Sequence, residues 1–147
     1  MKTKFYITTP IYYVNANPHI GHAYTTIAAD CLARYYRGQG RQVHFLTGTD
    51  EHGQKIQKAA AELNLSPKEF TDRISQKFRE LWQTLNISND DFIRTTESRH
   101  IAAVQKFWEV FKANDEIYEG EYGGLYCVPD ETFWMEAQLV DGKCPDC

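Results

Sequence analysis

The chain has 147 residues, 42% hydrophobic and 14% aromatic, which is the composition of a globular protein with one sizeable core and excludes a disordered one. Sixteen basic against 20 acidic residues leave a net charge of −4, so the basic footprint of a dedicated nucleic-acid binder is missing. No apolar run reaches the roughly 18 residues that span a membrane, and Met1-Lys2-Thr3-Lys4 opens without an apolar signal core, so a cytoplasmic protein with no membrane partner is expected.

Residues 5–8 form a β-branched and aromatic run that predicts a first strand, and turn chemistry follows over 15–18. Over 22–37 the residues Ile27, Cys31 and Tyr35, with Ala28 and Leu32, recur at helical spacing and are expected to face a sheet. Gly38-Gln39-Gly40 stops that helix, and 43–47 reads as a second, largely buried strand. Strand, helix and strand make a right-handed crossover, the seed of an α/β fold with a doubly wound parallel sheet. A helix is expected over 54–63. Ser66-Pro67-Lys68-Glu69 is a capping box with proline at the first helical position, opening a helix to Leu85 whose stripe is Phe70, Ile74, Phe78, Leu81 and Leu85.

A polar link at 87–91 leads to a third strand at 92–94 and a helix over 98–112, with Ile101, Val104, Phe107, Trp108 and Phe111 in helical register. From Ile117 onward Gly120, Gly123, Gly124, Pro129, Gly142 and Pro145 interrupt short aromatic pieces, as in a small β-rich module with a metal knuckle. The expected division is therefore 1–116, half of a nucleotide-binding domain, and 117–147, the start of a second module. Cys31 falls in a helical pattern while Cys127, Cys144 and Cys147 crowd the last 21 residues, which favours metal or free thiols over a disulfide framework.

Asn17-Pro18-His19-Ile20-Gly21-His22, between the first strand and its helix, is the most specific feature. A lone glycine lets backbone approach an anion, the helix start offers unpaired N–H groups, and two imidazoles can donate to phosphoryl oxygens. Neither Gly-x-G-x-x-Gly nor a P-loop occurs at this turn, so both ordinary nucleotide grips drop out. Two surface imidazoles on one helical turn, or half a zinc site, is the plain alternative. Asp50 sits just past the second strand, at the edge where open α/β sheets place ligands, and suits an ammonium group; its alternative is capping a helix near Gly53. Glu51 and His52 are given only the shaping of that loop.

His19-Ile20-Gly21-His22 matches the signature of class I aminoacyl-tRNA synthetases. The runs at 6–15 (Tyr-Ile-Thr-Thr-Pro-Ile-Tyr-Tyr-Val-Asn), 48–54 (Gly-Thr-Asp-Glu-His-Gly-Gln) and 92–97 (Phe-Ile-Arg-Thr-Thr-Glu) resemble the bacterial methionyl-tRNA synthetase family along essentially the whole chain. The leucine, isoleucine, valine and cysteine enzymes share the histidine signature, but the 9–15 and 48–53 runs favour methionine. The resemblance implies a Rossmann-like half-fold in which methionine's carboxylate attacks the α-phosphorus of ATP with Mg²⁺. His19 and His22 would be the catalytic donors, and His19, Gly21 and His22 the ATP contacts. Pro10, Ile11, Tyr13 and Asp50 would bind methionine, and tRNA(Met) would then be charged.

In the family a zinc knuckle pairs two Cys-x-x-Cys motifs. Here Cys127 is followed by Asp130 where a second cysteine is usual, so Cys127, Asp130, Cys144 and Cys147 would be the Zn²⁺ ligands, zinc accepting carboxylate as well as thiolate. Enzymes of the family are several hundred residues long, so the expected state is an incomplete N-terminal part, inactive alone. Two rivals are a non-catalytic ATP or amino-acid binding module, and a zinc hydrolase built on His19, His22, Asp50 and His52.

Overall fold

A computed structural model describes residues 3–147, which divide into two compact units, 3–101 and 102–147. In the first, four strands, β1 (Lys4–Thr8), β2 (Tyr12–Tyr13), β3 (Gln42–Asp50) and β4 (Asp91–Arg94), form one parallel sheet. β3 is central. Its Leu46 pairs with both Thr8 and Asp91, and its Thr49 with both Tyr12 and Arg94, so β1 and β2 follow one another along one side and β4 holds the other.

The lane of β1 and β2 contains a bulge. Thr8 lies opposite Leu46 but Tyr12 opposite Thr49, so four steps on this lane match three on β3. Thr9 anchors the extra residue: its N–H donates to the Leu46 carbonyl at 3.2 Å and its hydroxyl meets that of Thr47 at 2.8 Å. Pro10, which lacks an N–H, and exposed Ile11 take up the slack. Alternation therefore flips. Ile7 and Thr9 face inward before the bulge, Tyr12 and Val14 after it. A two-residue strand and a one-residue slip carry no periodic signal, so sequence reading misses both.

Helix α1 (Ile20–Gly38) crosses from β1 to β3, and α2 (Gln54–Glu62) and α3 (Pro67–Thr84) from β3 to β4. Right-handed crossovers taken in one direction put these helices on the same face of the sheet. That face holds the core: Tyr12, Val14, Ile56, Ala60, Phe70, Ile74, Phe78, Trp82 and Phe92, with Ala29, Ala33 and Phe45 under α1. Tyr6, 60% exposed, stacks on His44 on the other face at 5.7 Å between centroids.

The Ser66 capping box forms as expected, its hydroxyl accepting from the Glu69 N–H at 3.2 Å while the Glu69 carboxylate takes the Ser66 N–H at 3.0 Å. The expected sheet-facing stripe of α1 is corrected. Ile27, Cys31, Leu32 and Tyr35 are exposed, and Thr26, Ala29, Asp30 and Ala33 are buried instead. Small side chains let the helix approach the sheet closely, and Asp30 is anchored there. Its Oδ1 accepts the Ser88 N–H at 2.7 Å and hydroxyl at 2.5 Å, and Oδ2 accepts Arg34 Nε at 2.5 Å. Burial opposes its ionisation, but these donors outweigh it and hold the carboxyl below the usual range.

α4 (Ser98–Ala113) begins in the first unit and continues in the second. The second unit also has an antiparallel hairpin, β5 (Leu125–Cys127) with β6 (Thr132–Trp134), and a 3-10 turn at Glu136–Gln138. Among the described residues no helix is long and apolar enough to cross a membrane, and the four cysteines are free thiols.

Candidate active site

The first crossover helix begins on two histidines that cap it reciprocally. His19, with extended backbone at φ −132° and ψ 175°, takes the Gly21 N–H on Nδ1 at 3.1 Å, and His22 Nδ1 takes the His19 N–H at 3.1 Å. This is a capping box with imidazoles in place of hydroxyl and carboxylate. Because each ring accepts on Nδ1, the hydrogen-bond pattern assigns a proton to Nε2. The rings stack at 3.7 Å, and the His22 ring backs onto Tyr12 at 4.9 Å and Phe78 at 5.1 Å. Burial first, and neighbouring His19 second, hold the His22 pKa below the ordinary imidazole value. With Nδ1 of each ring occupied as an acceptor, the pair presents two Nε2–H groups at a helix start. A Cβ on Gly21 would lie 3.0 Å from His19 Cε1, so the glycine also makes room for the capping ring. Lys77 Nζ holds Asn17 Oδ1 at 2.8 Å, strapping the preceding loop to α3.

Asp50 ends β3 and pairs in register with Tyr13, and the Val14 N–H reaches the Asp50 carbonyl at 3.3 Å. Tyr13 and Asp50 are half-buried while Pro10 and Ile11 are exposed, all four at the carboxyl edge of the sheet. Gly53 caps α2 with no side-chain hydrogen bond, so Asp50 is not spent on that task. Tyr12 is structural: its hydroxyl meets Thr26 Oγ1 at 2.7 Å and its ring stacks on Phe78 at 5.7 Å.

A network that the sequence reading gave no chemistry lies beside Asp50. The Glu51 side chain is fully buried and Arg94 grips it with two bonds, Nε to Oε1 at 2.6 Å and Nη2 to Oε2 at 2.9 Å. Thr49 Oγ1 donates to Oε1 at 2.8 Å and Thr96 Oγ1 to Oε2 at 2.5 Å. Arg94 also reaches Asp72 Oδ1 on α3 at 2.6 Å. Thr95 Oγ1 accepts the Glu51 N–H at 2.9 Å and lies 3.1 Å from His52 Nδ1. An acid inside the 48–54 run and an arginine inside the 92–97 run were the available signal, but their pairing is visible only in space.

In the second unit, ligand atoms of Cys127, Asp130, Cys144 and Cys147 all lie within 4.8 Å of one another. Cys127 and Cys144 thiols donate to Asp130 Oδ2 at 3.1 and 2.6 Å, Cys127 and Cys147 sulfurs are 3.3 Å apart, and the Asp146 N–H points at Cys144 Sγ at 3.4 Å. Three thiols and a carboxylate at this spacing fit a tetrahedral divalent ion. The Asp130 carboxylate pushes the Cys127 thiol up to about 12, so loading a metal displaces thiol protons. No other such cluster exists among the described residues, so His19, His22, Asp50 and His52 do not form the metal centre of a hydrolase.

A parallel sheet whose first crossover helix starts on a histidine cap at its carboxyl edge is the nucleotide-binding fold of class I aminoacyl-tRNA synthetases. LeuRS of Agrobacterium radiobacter K84 shares that fold at TM-score 0.78 and 24% identity, covering 97% of this chain and 19% of that one. The methionyl-tRNA synthetase of Mycobacterium tuberculosis, solved in complex with methionyl-adenylate, matches at TM-score 0.88 and 46% identity over 95% of this chain and 28% of that one. The chain belongs to the family of tRNA synthetases class I (M), which matches residues 5–147. The methionine–tRNA ligase of Caldanaerobacter subterraneus subsp. tengcongensis is 58% identical over the whole chain, and that of Rickettsia felis 59% identical over 99% of it. The chain spans 23% and 28% of the length of these two relatives.

Proposed function

We propose that the chain carries the ATP grip and methionine subsite of a methionine–tRNA ligase, within which methionine is joined to ATP and then passed to tRNA(Met). The observation that carries this reading is the reciprocal histidine cap with both Nε2–H groups left over. As the methionine carboxylate attacks the α-phosphorus and pyrophosphate departs, charge builds on phosphoryl oxygens. His19 and His22 donate from Nε2 to those oxygens and need transfer no proton. Gly21 keeps the approach open. Asp50 takes the α-ammonium group, while Pro10, Ile11 and Tyr13 form an apolar, aromatic-edged slot for the thioether. Mg²⁺ arriving with the triphosphate would neutralise pyrophosphate charge. In this reading 1–116 is the first half of the catalytic domain and 117–147 the start of a connective module.

A non-hydrolysable methionyl-adenylate analogue, with sulfamoyl in place of phosphoryl, tests this by calorimetry on the chain. It is expected to bind at least about tenfold tighter than its leucyl counterpart, and His22→Ala to weaken it about tenfold, the worth of one good hydrogen bond. Equal affinity for both analogues, or indifference to His22→Ala, would overturn the reading.

Zn²⁺ on Cys127, Asp130, Cys144 and Cys147 would cross-link the hairpin to the last residues of the chain. Mass spectrometry under native conditions should find one zinc, lost in Cys144→Ser. A zinc that survives this change, or a chain that takes up none, would count against the assignment.

A further inference from the structure

We infer that Arg94 and Thr96 are positioning residues, which act through Glu51 to set the Asp50 carboxylate for the ammonium group of the amino acid. The inference rests on the reading of Asp50 given above.

The Asp50 carboxylate makes no hydrogen bond or ion pair among the described residues, whereas its neighbour Glu51 makes four hydrogen bonds at its carboxylate and one at its N–H. Two acids in succession therefore have opposite fates. The buried one is saturated by donors from β3, from the end of β4 and from the residues just after it, which leaves the one before it as the unpaired carboxylate at the sheet edge. The fork geometry matters here. A guanidinium grips both Glu51 oxygens and still reaches Asp72, tying β3, β4 and α3 at one point, whereas an ammonium has no planar fork. Since the Glu51 backbone is held by Thr95 and its side chain by Arg94 and Thr96, the peptide that carries Asp50 has little freedom to turn. Arg94 and Thr96 touch no ligand in this account.

The test compares two probes on the chain: the methionyl sulfamoyl-adenylate analogue and the same molecule lacking its α-ammonium group. Their affinity ratio reads the ammonium contact alone. Arg94→Lys, which keeps the charge and loses the fork, and Thr96→Val, at an exposed position, are each expected to shrink the ratio about tenfold, the size of a charge-assisted hydrogen bond. Affinity for the des-amino probe should stay unchanged, which a general loss of structure would not allow. Asp50→Asn serves as the reference. If Asp50→Asn abolishes the preference while both positioning variants keep it, the inference is wrong and the role of Asp50 stands. If Arg94→Lys does not fold, Thr96→Val alone decides. A preference that survives Asp50→Asn, or is absent from the parent chain, removes the Asp50 reading and this inference with it.

Discussion

Arg94→Met is expected to lower the unfolding free energy by about 3–5 kcal/mol, the cost of leaving a buried charge without its partner. The Glu51 side chain is 0% exposed and that of Arg94 19%, so water cannot replace the guanidinium. Bond strength is not the main issue. Two charges withdrawn from water gain little net stability as a pair, but removing one of them exposes the full desolvation penalty of the other. The second half of the prediction follows from that asymmetry. Adding Glu51→Leu to Arg94→Met should recover part of the loss, with a coupling of about 1–3 kcal/mol between the two sites. Urea unfolding of the parent, both single variants and the double variant measures it. Losses that simply add would mean that Glu51 is not held as a charged partner of Arg94.

Gly48→Ala should be comparably damaging, for a steric reason. A Cβ built there falls 2.1 Å from the Ile93 carbonyl oxygen and 2.6 Å from its Cγ2. Gly48 and Ile93 are register partners in β3 and β4, so the obstruction is backbone and cannot rotate away. The strands must separate, which goes beyond the roughly 1–3 kcal/mol of ordinary overpacking. Because β4 delivers Arg94, Thr95 and Thr96, the same change should loosen Glu51. Gly38→Ala is the control, since nothing lies within 4 Å of a Cβ there. If Gly48→Ala unfolds at the same urea concentration as Gly38→Ala, the close approach of β3 and β4 is not a constraint on this fold.

The strand, helix and strand order was legible because it rests on local signals: turn glycines, a capping box and apolar runs. The histidine pair was legible as letters, and so was the clustering of three cysteines, which does bring Cys127, Cys144 and Cys147 together with Asp130. Other parts were hidden for identifiable reasons. Periodicity on α1 offers more than one stripe, and it favoured the bulkier Ile27, Cys31 and Tyr35 over the small residues that actually meet the sheet. That His19 and His22 hold the helix start with one ring nitrogen, and so present the other, depends on χ angles that no spacing encodes. Glu51 reads as an acid in a loop until Arg94, forty-three positions later, is placed against it.

The bulge between Thr8 and Tyr12 makes the sheet edge depend on how the segment is paired as well as on which residues it has. Paired residue for residue without the bulge, Ile11 would fall opposite Thr49 and Tyr12 opposite Asp50, so Tyr13 would turn into the core and Tyr12 out to the edge. The composition of the edge would be almost unchanged, tyrosine for tyrosine. A shift of register over these few positions is thus a different kind of change from a substitution, because it reassigns which of two adjacent identical side chains supports the fold and which stands at the sheet edge.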